Sequence, residues 1–410
     1  MSPDRPSICR RELLAGVAGL TAASATAGCL DLDDGGPTPG TDDSTEWSHA
    51  AANRRATAYA PDALAPRTGA TERWTIDAPG AYQRPVVAGG LALLPTGDGL
   101  YAYDVETGEE RWQFASDGED RDSAFALSPA VNGDTVYVGF QSDPGLSALD
   151  VSDGTERWRA GDSDVYAAPV AGDSGTVFVG TDTGLLAVTE DGTVRWEYEL
   201  FGRGVRVATG AGLGSTAYVG TSAGEVYALF VSDNEGAGPE GLWRRKLDGE
   251  VISLAVGQGG DCYASTFGGP TVRMEDGAFA GRARWSNADA ETMDGGLCVA
   301  AGRVYGNNLA RFVAVDERSG ETAWQVGVGN ETDYTCGPAA AGDTLYAGRS
   351  DGLFAYKLGG GVGFEGTRLE PRRFRYPVEG APTGIAVADG ALFVATESQA
   401  GSKLLALDPA

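Results

Sequence analysis

From Pro85 onward the chain is written in short apolar runs of four to six residues, broken by Gly-Asp, Asp-Gly or Thr-Gly pairs. Pro85-Val-Val-Ala-Gly-Gly-Leu-Ala-Leu-Leu leads through Gly99-Leu-Tyr-Ala-Tyr-Asp104 and Thr107-Gly108 to Trp112. Runs of this length and alternation predict strands, and the Gly pairs supply the positive φ of tight hairpin turns. The unit then returns. Thr135-Val-Tyr-Val-Gly139 leads to Trp158, Thr176-Val-Phe-Val-Gly180 to Trp196, and Thr216-Ala-Tyr-Val-Gly220 to Trp243 after an insertion at residues 234–241. The fifth unit, Asp261-Cys-Tyr-Ala-Ser265 to Trp285, is the most degenerate, and the sixth runs from Gly302-Arg-Val-Tyr305 to Trp324. The seventh puts Phe374 or Tyr376 in place of the Trp, and the eighth, from Pro382 to Asp408, has no Trp strand of its own.

Each unit holds four strands, enough for one antiparallel meander that is marginal alone and stable when stacked radially. The predicted fold is therefore all-β, an eight-bladed β-propeller of four-stranded antiparallel blades. Residues 72–76, around Trp74, form a Trp strand with no meander before it, so this strand is expected to join the last blade and close the ring. An open array of hairpins or a seven-bladed ring with one odd unit is the alternative. Residues 72–410 form the propeller in this reading, and residues 47–71 an extension that caps one rim or lies against the last blade.

The string Gly-x-Leu/Val-Tyr-Ala-Leu-Asp-x-x-x-Gly-x-x-x-Trp, clearest at residues 99–112 and 145–158, resembles the pyrroloquinoline-quinone (PQQ) repeat of quinoprotein-like propellers. The resemblance runs from Trp47 to the C-terminus. Enzymes of that family place the quinone over the central funnel on a Trp platform, with calcium held by Glu, Asn and Asp, an Asp base, and often a disulfide between adjacent cysteines. This chain has no adjacent Cys pair, its insertions are short, and its seven propeller Trp residues fall at outer-strand positions. The resemblance thus implies a non-catalytic binding or assembly module without a cofactor. A PQQ- and calcium-dependent or other secreted oxidoreductase using the funnel is the alternative. In fold the chain also resembles the lipoprotein propeller of the outer-membrane barrel assembly machinery.

Composition sharpens this picture. The chain carries 58 acidic against 31 basic residues, a formal net charge of -27, and only three lysines, Lys246, Lys357 and Lys403. The balance resembles that of haloarchaeal proteins and predicts marginal folding at low salt, where the charges are unscreened. It excludes nucleic acid as a partner, since a phosphate-binding face needs clustered Lys and Arg. The single His, His49, precedes the repeats, so no His-metal cluster and no Ser-His-Asp catalyst can be built in the core.

Residues 1–28 read as a twin-arginine-type signal, with Arg10 and Arg11 ahead of an apolar run too short to span a bilayer. The small residues before Cys29 resemble a lipobox, which makes Cys29 the lipidated end of the mature chain. Residues 29–46 are acidic and rich in Gly and Pro, a disordered tether. The expected product is an exported monomer held on the outer face of the cell membrane by Cys29, with an envelope protein or a glycan as partner.

Residues just before each inner strand should line the funnel mouth: Gln83, Arg84, Phe125, Tyr166, Arg206, Ser253, residues 292–294, Tyr334 and Glu379. Among them Arg84, Tyr166, Arg206 and Tyr334 form the candidate ligand site, the two arginines being cations in an anionic protein. Cys298 and Cys336 fall near the starts of neighbouring inner strands, as buried thiols or, within the 7 Å Cα limit, a bridge. Cys262 reads as a small core residue. Acidic runs at residues 117–122 and at Asp289 and Glu291 lack the spacing of a calcium loop and read as solvated surface.

Overall fold

The computed structural model describes residues 45–115, 125–141, 143–172, 175–212, 214–232, 234, 237–290, 292, 296–307, 311–327, 336–361, 363–364, 367–368 and 371–410. Arg10, Arg11, Cys29, Tyr334, Glu291 and the acidic run at residues 117–122 lie outside them.

Eight sheets, each a four-stranded antiparallel meander at its centre, follow one another along the chain. The first strands of blades 1 to 8 are Val86–Ala88, Ala130–Asn132, Val170–Ala171, Gly204–Gly212, Val251–Val256, Cys298–Ala300, Ala339–Ala341 and Ala381–Ala388. First strands of successive blades touch from blade 2 round to blade 8, that of blade 8 touches that of blade 1, and blades 1 and 2 meet through Leu91–Thr96 and Phe125–Ala126, so the ring is closed about the axis. Most first strands are only two or three residues long, and they are largely apolar and rich in Ala and Val, as suits strands crowded from both sides. The outermost strand of blade 8 is Ala70–Ala78, paired with Gly401–Pro409 through Trp74↔Ala406. Arg73 fastens the joint, with its Nε 2.9 Å and its Nη2 2.6 Å from Asp408 Oδ1.

The spacing of the repeat follows from one seam contact. Each Trp of an outermost strand stands opposite a small residue of the third strand in most blades, as in Trp112↔Ala102, Trp158↔Ala148 and Trp324↔Ala314. Phe374 pairs with Ala355 in the same register, so it, and not Tyr376, replaces the missing Trp of blade 7. The indole donates across the seam to a carbonyl of the next blade. Trp74 Nε1 reaches Val105 O at 3.0 Å, Trp112 reaches Val151 O at 2.9 Å and Trp285 reaches Glu317 O at 2.9 Å.

Beside that carbonyl the next blade presents a turn glycine to the indole face. At Gly108, φ is +72° and a Cβ would come within 2.8 Å of the Trp74 ring, so both the backbone and the packing require glycine there. The repeat's Asp shapes the same turn, Asp104 Oδ1 accepting from the N–H of Glu106 at 3.0 Å and of Thr107 at 2.9 Å. Trp196 departs from the rule. Its Nε1 is buried without a hydrogen bond, and blade 4 carries the insertion at residues 234–241 where other blades place this turn.

The segment before Ala70 caps one rim. Residues 45–60 form a belt around the axis that meets every blade in order. Thr45 O accepts from Asp389 N of blade 8, Trp47 exchanges two main-chain bonds with Val87 of blade 1, and Ser48 O accepts from Val131 N of blade 2. His49 Nε2 accepts from Ala171 N of blade 3 at 3.3 Å. Arg54, Arg55, Thr57 and Ala58 then offer their carbonyls to Thr209, Val256, Val299 and Ala340 of blades 4 to 7. Tyr59–Ala60 ends the belt as a parallel strand on Ala339–Ala341. So tight a curl needs reversals of backbone handedness, found at Ala52, Ala56 and Ala58 with φ of 71°, 54° and 50°. Asn53 braces the curl, its Nδ2 donating to Thr57 Oγ1 at 2.7 Å.

Candidate functional site at the open end of the axial channel

Strands within a blade alternate in direction, so all eight innermost strands run the same way along the axis. The belt bonds to their later residues and seals that end. The residues that begin or precede them surround the other end, leaving a blind funnel of about 360 Å3. Its floor is made by His49, Ala50, Ala51, Asn53 and Ala56 of the belt, and its walls by residues of blades 1 to 8.

Three of the four candidate residues come together here. Arg84, Tyr166 and Arg206 all line the funnel, with Gln83, Phe125 and Ser253 of the wider set. Arg206 is oriented by the main chain, its Nε donating to Ile252 O and its Nη1 to Val205 O, both at 2.7 Å. Tyr166 lies under the Arg203 guanidinium, 4.7 Å from its ring centroid. Arg84 is recessed beside Gly296 and near the Cys298 and Cys336 thiols, and desolvation pushes its guanidinium down from the ordinary value. Burial in turn pushes the Cys336 thiol up to about 11, against the pull of Arg84. Cys262, Cys298 and Cys336 are free and buried, and Cys298 Sγ donates to Ala58 O of the belt at 3.4 Å.

Two expected members sit elsewhere. Glu379 is exposed, lies 2.7 Å from Lys403 Nζ and is not among the described residues of the lining. Thr292 is fully buried, its hydroxyl beside those of Ser253 and Ser265 and not in the funnel wall. Asp289 is an ordinary surface acid, accepting from Thr322 Oγ1 at 2.9 Å. The belt residues of the floor were missed by reasoning from the repeats, because no strand pattern marks them. His49 is among them. Burial pulls its imidazole down to about 4, and the bond from Ala171 N also needs Nε2 unprotonated. Neutral, it shares a hydrogen bond with Ser48 Oγ through Nδ1 at 2.9 Å.

The described lining contains two guanidiniums, the aromatic rings of Tyr82, Phe125 and Tyr166, neutral amides and hydroxyls, and no Asp or Glu. Among the described residues this set offers amide oxygens but no carboxylate to a hard cation such as calcium. Among the described residues no three His, Cys, Asp or Glu are grouped to hold a metal. The seven propeller tryptophans are all committed to outermost strands, with none in the funnel wall. Nor is any helix among the described residues long and apolar enough to cross a membrane.

Comparison with known proteins places the chain. Outer membrane protein assembly factor BamB of Xanthomonas campestris is 28% identical over 312 residues, covering 69% of this chain and 75% of that protein. The serine/threonine-protein kinase AfsK of Streptomyces griseus is 33% identical over 159 residues, 34% of this chain, which spans only 18% of the kinase. In fold, quinohemoprotein alcohol dehydrogenase of Comamonas testosteroni superposes with a TM-score of 0.66 at 14% identity, over 90% of this chain and 81% of that one. BamB of Moraxella catarrhalis gives 0.59 at 19% identity, over 83% and 98%. The chain is thus a propeller of the quinoprotein superfamily, akin in sequence to an assembly factor and in fold to that factor and to dehydrogenases. A family model described as outer membrane protein assembly factor BamB matches residues 50–161, 143–234 and 209–410, and the chain belongs to that family.

Proposed function

We propose that this protein is an exported, membrane-tethered binding module that holds an envelope protein by the face bearing the open funnel mouth. The observation that carries this reading is the asymmetry of the axis. One end is sealed by the chain's own belt, and the other is a recess ringed by projecting aromatic side chains. Tyr82, Phe201 and Phe267 are 56%, 64% and 58% exposed, and the turns that carry them all lie on the mouth side of their blades. Exposed rings around a pocket are typical anchors of protein interfaces. Export through Arg10 and Arg11 and lipidation at Cys29 supply the tether. The test is capture of partners from a high-salt membrane extract by the wild type and by a Phe201→Ser/Phe267→Ser variant. Loss of a specific protein from the variant supports the reading. Capture that survives both changes, or of glycan alone, counts against it.

A second reading, a quinone-dependent oxidoreductase, is favoured by the likeness in fold to the alcohol dehydrogenase, whose TM-score exceeds that of the assembly factor. Its difficulty is that no carboxylate stands among the described residues of the funnel. Reconstitution with PQQ and calcium decides it: a bound quinone absorbance with alcohol-dependent dye reduction would establish the enzyme.

A further inference from the structure

We propose that two copies of this chain pair edge to edge through the outermost strand of blade 4, Glu240–Lys246, as an antiparallel twofold dimer. The inference does not rest on the reading of the mouth, and it departs from the monomer expected from sequence.

The blades serve as controls for one another. Each outermost strand ends its sheet, so one side of its main chain has no strand beside it among the described residues. Such margins pair with other chains unless something blocks them, and charged side chains and bulges are the usual blocks. Here every outermost strand is bulged at the residue before its Trp or Phe. In six blades that residue is an arginine: Arg73, Arg111, Arg157, Arg195, Arg284 and Arg373. Most of these are anchored to an acid, as Arg111 Nη2 is to Asp104 Oδ2, Arg157 Nη2 to Asp150 Oδ2 and Arg373 Nη2 to Asp343 Oδ2, each at 2.6 Å. Blade 6 has the half-buried Ala323. Blade 4 has Leu242, a large apolar side chain that is 51% exposed. A Cβ placed on the neighbouring Gly241 would meet no described atom within 4 Å. The charged guard is missing at this margin.

The occupant follows from the strand's own sequence, Glu-Gly-Leu-Trp-Arg-Arg-Lys. An antiparallel copy centred on Trp243 sets Glu240 opposite Lys246 on both sides of the twofold, Leu242 opposite Arg244, and Trp243 opposite itself. Opposite charges and aromatic rings facing across strands are favourable, and like charges are not. The repeat's arginine at position 242 would stand against Arg244 of the partner subunit, and Leu242 removes that clash. Arg244 is held by Glu225, with Nε 3.0 Å from Oε2, which leaves its apolar stem for Leu242 to cover. Lys246 Nζ donates to Ala223 O and has further donors to offer. Closed twofold dimers are the commonest homo-oligomers. Antiparallel pairing also reverses the axial direction between copies, so the two mouths open to opposite sides and the dimer presents two sites at once.

Sedimentation equilibrium of the full chain in concentrated KCl tests this, since salt screens the repulsion between copies of net charge -27. The wild type should follow a reversible monomer–dimer equilibrium. Leu242→Arg and Glu240→Lys should each weaken the dimer at least about tenfold and leave the melting temperature unchanged. Adding Lys246→Glu to Glu240→Lys reverses both charges and should restore the wild-type equilibrium. Arg284→Gln, on the outermost strand of blade 5, should dimerise as wild type. A wild type that stays monomeric overturns the proposal. So does association indifferent to Leu242→Arg and Glu240→Lys, or a double charge reversal that remains dissociated.

Discussion

The two ends of the axial channel are made by the same eight strands and handled in opposite ways. At the closed end, N–H groups at or just beyond those strands meet the belt, eight of them a belt carbonyl and that of Ala171 the ring of His49. At the open end the residues that begin or precede those strands line the recess, among them two arginines, aromatic rings, amides and hydroxyls. Main-chain bonding is indifferent to residue identity and makes a seal. Side-chain lining depends wholly on identity and makes a site. Stability should therefore be concentrated at the belt and specificity at the mouth, and mutations can separate the two.

The largest effect is expected at the belt. Trp47 is fully buried, and Trp47→Ala should cost about 3–5 kcal/mol in urea denaturation without altering the residues of the mouth. A cost below about 1 kcal/mol would show that the belt is ornamental. Next comes acid. His49 has a folded pKa of about 4 against 6.5 ordinarily, so its neutral form stabilises the fold fully above pH 6.5. That stabilisation drains away as pH falls towards 4, roughly 3 kcal/mol in all. As the chain's single His, it should own most of the slope between pH 6.5 and 5, and His49→Gln should flatten it.

The mouth should behave differently. Tyr166→Ala removes the ring beneath Arg203 and should cost no more than about 1 kcal/mol in stability while weakening ligand binding. Arg206→Gln, at an exposed position, should change stability by less than about 0.5 kcal/mol. A large melting shift from Arg206→Gln, or intact binding in Tyr166→Ala, would dissolve the contrast between the ends.

The blades were readable from sequence because one contact, an indole on a turn glycine with a bond to the next carbonyl, imposes both residue types at fixed spacing. Ring closure was readable for the same reason, through Trp74. Which of Phe374 and Tyr376 replaces the Trp of blade 7 was not, since adjacent strand residues differ only by register, and Ala355 settles it. Arg84 and Tyr166 line the funnel from positions before innermost strands and Arg206 from near the start of one, places that the meander pattern marks. Glu379 satisfied the same rule, yet it pairs with Lys403 and is not among the described residues of the lining. The belt left almost no signal. It is bound chiefly through carbonyls, which every residue has, and its curl passes through alanines and not the glycines that usually announce positive φ.

The joint between Ala70–Ala78 and Gly401–Pro409 also sets a timetable for biogenesis. Arg73 and Asp408, which clasp across it, are 335 residues apart in the chain. Ala70–Ala78, made before every other blade strand, must wait, unpaired, for nearly the whole polypeptide to leave the ribosome before its sheet exists, a contact of very high order and slow formation. A nascent chain halted short of Gly401 would display two raw sheet margins, one at each side of the gap, and such margins recruit other chains. Truncation near the C-terminus is thus expected to yield aggregates, not a slightly smaller propeller.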